Sequence, residues 1–243
     1  ADLVVMAIGV VADHVLAVDA GLAIGEAGGI AVDDHMRTSN PDIYAVGDAA
    51  EKTSAFTNEG QMIPLANLAN RHGRFVADVI AGEKVSARPS IGTGIIGAYG
   101  MAAAVTGLTE AVAQRLGIKH QVIHLHPGSH AGYYPGAERV SLKVLFEPET
   151  GKLLGAQGIG FDGVDKRIDV ISTAMFAGIT ASQLAQLELA YDPQHGSAKD
   201  PINMLGYVNR NIAQGLTQVV EWHEIESLSQ QGFTIVDVRT EGE

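Results

Sequence analysis

Asp48 follows a glycine at the end of the short apolar stretch Ile43-Tyr44-Ala45-Val46. Gly47 lets a ligand approach the backbone, and a carboxylate at the C-terminal end of a strand accepts hydrogen bonds from sugar-like hydroxyls, at the place where open α/β sheets bind ligands. The same aspartate also suits a helix N-cap ahead of Ala49-Ala50-Glu51. Tyr133 and Tyr191 lie in Ser129-His130-Ala131-Gly132-Tyr133-Tyr134-Pro135-Gly136 and Leu189-Ala190-Tyr191-Asp192-Pro193. Each phenol offers a hydrogen-bond donor without a permanent charge; Tyr133-Tyr134 equally reads as an aromatic pair packed at an interface. Lys199 and Arg71 are cations for phosphate or solvated surface charge. His124 and His126 alternate on one strand face, a spacing that can hold a metal. No Asp or Glu follows until Glu138, and Pro127-Gly128 separates them from His130. These are read as partly exposed strand histidines, with no metal expected.

The 243 residues contain no cysteine. Disulfides, thiolate metal sites and a thiol nucleophile of the chain's own are therefore excluded. Lys and Arg total 16 against 28 Asp and Glu, a net charge of -12, which argues against nucleic-acid or anionic-membrane partners. No apolar run is long enough to span a membrane and the start is not signal-like, so a cytoplasmic protein is expected.

The elements that must position these residues fall into four segments. Residues 1–38 read as the last strands of a Rossmann-like domain, with a buried strand from Leu3 to Ile8 and a short one at Ile30-Ala31-Val32. Residues 39–88 carry the Gly-Asp motif on a strand, Ile43 to Val46, and then a helix. Pro64 suits that helix's first turn, Leu68, Phe75, Val76 and Val79 form its apolar face, and Gly82 stops it. Between 89 and 213, strands Val140–Phe146 and Leu153–Ile159 flank the turn Glu147 to Lys152. A helix follows with Val164, Ile168, Ile171 and Met175, and Thr180 with Gln183 suggests a capping box. Strands and helices without βαβ alternation imply an α+β domain. In 214–243, Trp222, Ile225 and Leu228 suggest a helix and Thr234 to Arg239 a buried strand.

Gly92-Thr93-Gly94-Ile95-Ile96-Gly97 matches G-x-G-x-x-G without the context a dinucleotide fingerprint needs. Arg88-Pro89-Ser90 precedes it in place of a strand, and His120-Gln121 stands where the ribose-binding acid belongs. Glycines on a domain-entry strand are the better account.

The run Thr38-Ser39-Asn40-Pro41-Asp42-Ile43-Tyr44-Ala45-Val46-Gly47-Asp48 resembles the second flavin-binding motif of the FAD-dependent pyridine nucleotide-disulfide oxidoreductases. The two tyrosine motifs, Ser197-Ala198-Lys199-Asp200-Pro201 and Asp165-Lys166-Arg167-Ile168-Asp169 extend that resemblance to coenzyme A-disulfide reductases and NADH-dependent persulfide reductases. It departs from them at Asp192 and Gln194-His195-Gly196. Ile-Val-Asp-Val-Arg-Thr near the end resembles the opening of a rhodanese domain. A rhodanese needs its own cysteine further on, so no sulfurtransferase activity is expected of this chain.

The resemblance implies α/β Rossmann-like fragments, the end of an NAD(P)H domain and part of an FAD domain, followed by an α+β dimerisation domain that makes a homodimer. It implies that NAD(P)H reduces FAD, which passes electrons to a cysteine upstream of this chain, and that coenzyme A is a substrate or a bound group. Gly47 and Asp48 would hold FAD, with Pro64, Leu65 and Ala66 near its ring. Tyr133 and Tyr191 would serve the partner subunit's thiol chemistry, Tyr191 also touching the flavin. Asn70, Arg71 and Lys199 would contact coenzyme A. Taken alone, the chain is expected to be inactive. An NADH oxidase or peroxidase on the same scaffold and a non-catalytic dimerisation module are the alternative readings.

Overall fold

The computed structural model describes residues 2–7 and 9–238. Its best-packed part is a five-stranded antiparallel sheet in the order β3-β4-β7-β6-β5. The strands are β3 (Thr93–Ala98), β4 (Met101–Gly107), β5 (Gln121–Leu125), β6 (Val140–Phe146) and β7 (Leu153–Gly160). The turn expected between β6 and β7 forms: the Glu147 amide donates to the Lys152 carbonyl and the Gly151 amide to the Glu147 carbonyl, each at 2.9 Å.

One sheet face packs on α4 (Val164–Ala177) and α5 (Pro201–Ala213), and the other on α3 (Glu110–Arg115). Val140, Leu142, Val144 and Phe146 on β6 meet Ile168 and Ile171 of α4 and Leu205 of α5 in a continuous core. Fully burying each large apolar side chain contributes about 1.5–3 kcal/mol. Thr180 and Gln183 close the expected capping box, with the Thr180 amide donating to Gln183 Oε1 at 2.9 Å. The element it caps is a 3₁₀ helix, Ala181–Gln186, rather than an α-helix. Helix α5 lies directly on it: a Cβ on Gly206 would sit 2.1 Å from the Ala185 amide nitrogen, so glycine is the residue that permits this approach.

Before the sheet come α1 (Val15–Asp19), a two-stranded ribbon of β1 (Lys52–Thr53) and β2 (Gly60–Gln61), and α2 (Ala66–Ile80). Helix α2 buries Leu68 and Val79 as its periodicity requires. Pro64 lies just outside the helix, ahead of the N-cap Leu65, rather than in its first turn. From Thr93 the Gly92 to Gly97 run lies in edge strand β3, paired antiparallel with β4, and opens no helix.

Three expected strands take another form. Residues 3–7 are irregular and exposed, Leu3 being 80% accessible, and Ile8 lies outside the described residues. The stretch from Ile43 to Val46 makes a single bridge, Tyr44 to Arg37. Residues 234–238 are exposed and irregular, while Arg239, Thr240 and the residues after them lie outside the description. An apolar run becomes a strand by pairing its backbone over successive residues, and neither of the two sheets takes in these segments. Ile30 likewise makes isolated bridges, to Ile24 and Ala50, rather than a strand. The helix expected around Trp222, Ile225 and Leu228 forms as a 3₁₀ turn, Trp222–Glu224, leading into α6 (Ile225–Gln230).

Candidate active site

The turn leading to Asp48 is built by its own polar side chains. Thr38 Oγ1 donates to the Ile43 carbonyl at 3.0 Å and accepts from the Asn40 amide at 3.2 Å, and Asn40 Oδ1 accepts from the Asp42 amide at 3.0 Å. Gly47 then takes φ +80°, a conformation that glycine adopts without strain. The Ala50 amide closes the loop on the Gly47 carbonyl at 3.3 Å, while Ile30 brackets it by exchanging backbone bonds with Ala49 and Glu51. No helix begins at Ala49, so Asp48 is not an N-cap. Asp48 is exposed.

Gly47 faces the first turn of α2. A Cβ on Gly47 would have Ala69 Cβ, at 3.9 Å, as its nearest neighbour and otherwise open space. That turn begins at Leu65 with no side-chain cap and no acidic residue. The helix start is a positive pole, which stabilises a negative group, although the Leu65 and Leu68 amides are already bonded to the Ile63 and Leu65 carbonyls. The structure thus brings Gly47 beside the first turn of α2, at Ala69. A bare glycine, an accessible carboxylate acceptor and an uncapped helix start fit a large, hydroxyl-bearing, anionic cofactor such as FAD.

Sequence reasoning missed the side chain beneath this loop. Lys52 is 3% exposed, and its ammonium donates to the Gly47 carbonyl and, at 2.7 Å, to the Ala50 carbonyl. Burial lowers its pKa, opposed by the nearby Asp48 charge. His72 on α2, also buried, has its pKa lowered by burial first and then by the charges of Lys52 and Arg71. No periodic signal in the sequence marks Lys52. Asn70 and Arg71 are exposed on α2, and Arg71 lines a cleft of about 630 Å³ between α2, residues 86–93 and α4.

The two tyrosine motifs meet, although 58 residues separate them in sequence: Tyr133 Oη lies 3.4 Å from Tyr191 Oη. Both rings are exposed. The hydrogen bond shared with Tyr133 is the main cause holding the Tyr191 pKa above that of an ordinary phenol, with burial and nearby negative charge adding to it. Tyr191 is therefore protonated at neutral pH and able to donate. Beneath the pair, the Ala131 amide donates to the Gly196 carbonyl at 3.0 Å and ties the two loops together. Lys199, with its ammonium 5.8 Å from the Tyr207 ring centroid, shares a cavity of about 400 Å³ with Tyr191.

Arg167 anchors both loops from below. It is 1% exposed and donates to Ser129 O at 2.7 Å, Gly163 O at 3.1 Å and Asp200 Oδ2 at 2.8 Å. Asp200 in turn caps α5 by accepting from the Ile202 amide at 3.0 Å. The sequence held a signal for this: Arg167 falls inside the Val164, Ile168, Ile171 stripe, where an arginine must find partners.

The three weighed histidines part company. His124 Nε2 lies 3.3 Å from Glu221 Oε2, His126 Nδ1 lies 2.9 Å from Ser141 Oγ, and buried His130 Nδ1 lies 3.2 Å from the Ala131 carbonyl. His195, adjacent to the Tyr191 loop, faces Asp192 at 3.5 Å.

Known proteins resemble this chain in sequence and fold. Residues 1–73 match the family model described as pyridine nucleotide-disulphide oxidoreductase, and residues 99–200 match that of the dimerisation domain of the same family. The coenzyme A disulfide reductase of Staphylococcus haemolyticus is 36% identical over 192 residues, 79% of this chain and 43% of that protein. Among solved structures, reduced Bacillus anthracis CoADR-RHD superposes with a TM-score of 0.90 at 46% identity, covering 93% of this chain and 41% of that one. A NAD-dependent persulfide reductase from A. fulgidus superposes with a TM-score of 0.88 at 38% identity, covering 93% and 42%. The chain thus spans less than half the length of these relatives. No helix of the described residues is long and apolar enough to cross a membrane. With both family models matched in order and the fold shared along nearly its whole length, this chain belongs to the pyridine nucleotide-disulphide oxidoreductases.

Proposed function

We propose that this chain is the C-terminal portion of an FAD-dependent reductase that uses NAD(P)H to cleave coenzyme A disulfides or persulfides, working as a homodimer. The observation that carries the reading is the approach of Tyr133 and Tyr191, two phenol hydroxyls 3.4 Å apart on loops locked together from beneath. A thiolate expelled from a disulfide gains from a donor that brings no fixed counter-charge. When bound, FAD supplies the electron transfer between a nicotinamide and a sulfur centre. The chain's own residues do the rest: Gly47 opens the backbone, Asp48 accepts cofactor hydroxyls, and Pro64 to Ala66 present the positive end of α2. Tyr133 and Tyr191 donate to the departing sulfur. Lys199, Asn70 and Arg71 hold the anionic end of the thiol carrier.

Since the sequence contains no cysteine, the thiol nucleophile is supplied from outside these residues. The names of the relatives above support the substrate class. Supplying NADH and coenzyme A disulfide to the complete protein tests the reading. Flavin absorbance together with stoichiometric release of coenzyme A thiol is expected. Peroxide or water formed faster than thiol points instead to an oxidase, and a protein without flavin points to a non-catalytic module.

A further inference from the structure

We propose that Lys52 is a positioning residue for the cofactor loop, its buried ammonium setting FAD affinity by holding the backbone on both sides of Asp48. This rests on the reading of Gly47 and Asp48 as the cofactor-binding turn. Lysine is almost never fully buried without a partner of opposite charge. Lys52 is 3% exposed, and no ion pair involves it among the described residues. Desolvating an ammonium in this way is costly, so its position calls for a compensating role.

The geometry supplies one. The backbone of Lys52 is fixed in the β1–β2 ribbon, paired with Gln61, and its side chain turns back to the Gly47 and Ala50 carbonyls. Those carbonyls bracket Asp48. One ammonium therefore fixes a loop whose first residue sits at φ +80° and whose last, Ala50, is 1% exposed. Asp48 is the negative group that acts on Lys52, and it makes no ion pair with it. The carboxylate is left accessible for a ligand while the cation works from below. His72 on α2, on which the Lys52 charge acts, has an unpartnered buried Nδ1 and adds no negative charge.

The test uses the complete protein stripped of flavin, with FAD binding read by quenching of flavin fluorescence and the fold read by apoprotein melting. Lys52→Met is expected to raise the FAD dissociation constant at least about tenfold, with the apoprotein melting within a few degrees of the parent. Lys52→Gln, which keeps an amide donor, is expected to fall between. Parental FAD affinity in Lys52→Met overturns the proposal, as does an apoprotein melting loss large enough to account for weaker binding in both variants. Asp48→Ala separates this from the reading beneath it. If that variant binds FAD like the parent, the loop is not the cofactor site; if it binds weakly while Lys52→Met binds normally, only the role of Lys52 fails.

Discussion

Arg167 and Asp200 form a buried ion pair, with Nη2 2.8 Å from Oδ2 and Nε 3.4 Å from Oδ1. The pair joins α4 to the start of α5, and the remaining donors of Arg167 reach the Ser129 and Gly163 carbonyls. Removing either partner strands a charge in the interior. Arg167→Met or Asp200→Asn is therefore expected to cost about 3–5 kcal/mol of unfolding free energy. The double substitution should cost less than the sum of the two. Chemical denaturation measures both, and a single-variant cost under about 1 kcal/mol contradicts the stated role of the pair.

The Tyr133 hydroxyl is the main cause of the raised Tyr191 pKa. Tyr133→Phe should accordingly move Tyr191 down, towards an ordinary phenol. Ultraviolet titration of tyrosinate in Tyr133→Phe, with the Tyr133→Phe/Tyr191→Phe double variant as the reference, isolates this group. A Tyr191 that titrates as high without its partner as with it removes the basis for treating the two phenols as a unit.

Glu110, in the first turn of α3, has its pKa lowered chiefly by the hydrogen bond from Lys143, with burial opposing and the charges of Lys143, His120 and His124 assisting. A carboxyl depressed on folding contributes stability that is fully present above its unfolded value and disappears as pH falls through its folded value. Glu110→Gln should thus destabilise at neutral pH, by an amount that shrinks at acid pH as the folded carboxyl takes up its proton. Equal loss at neutral and acid pH argues against an electrostatic contribution.

Gly206 admits the 3₁₀ helix because a Cβ there would lie 2.1 Å from the Ala185 nitrogen. The obstruction is backbone, which cannot swing aside. Gly206→Ala is expected to cost about 1–3 kcal/mol or more, read as a lower unfolding midpoint. Parental stability would mean that α5 moves freely over its neighbour.

Much of the α+β part was legible in the residues. Alternation and turn chemistry locate β6, β7 and the bend between them, and Val164, Ile168 and Ile171 mark α4, because these elements bury their apolar faces against one another. Leu3 to Ile8, Ile43 to Val46 and Thr234 to Arg239 carry an equally apolar pattern. Composition shows that such a segment can be buried, but pairing requires a neighbouring strand, which a local pattern cannot supply. At the site, Asp48 and the tyrosines stood out by motif. Their settings did not: contact between residues 133 and 191 arises from tertiary structure, and Lys52 works through carbonyls that every residue possesses.

The most direct trial of the whole account is the rate of thiol release by the complete protein carrying Tyr133→Phe and Tyr191→Phe, with NADH and coenzyme A disulfide supplied and flavin content measured in the same sample. Loss of two donors to the departing sulfur should slow release by about 100-fold or more at parental flavin content. Release at the parental rate, with flavin intact, would contradict the assignment of these phenols to sulfur chemistry.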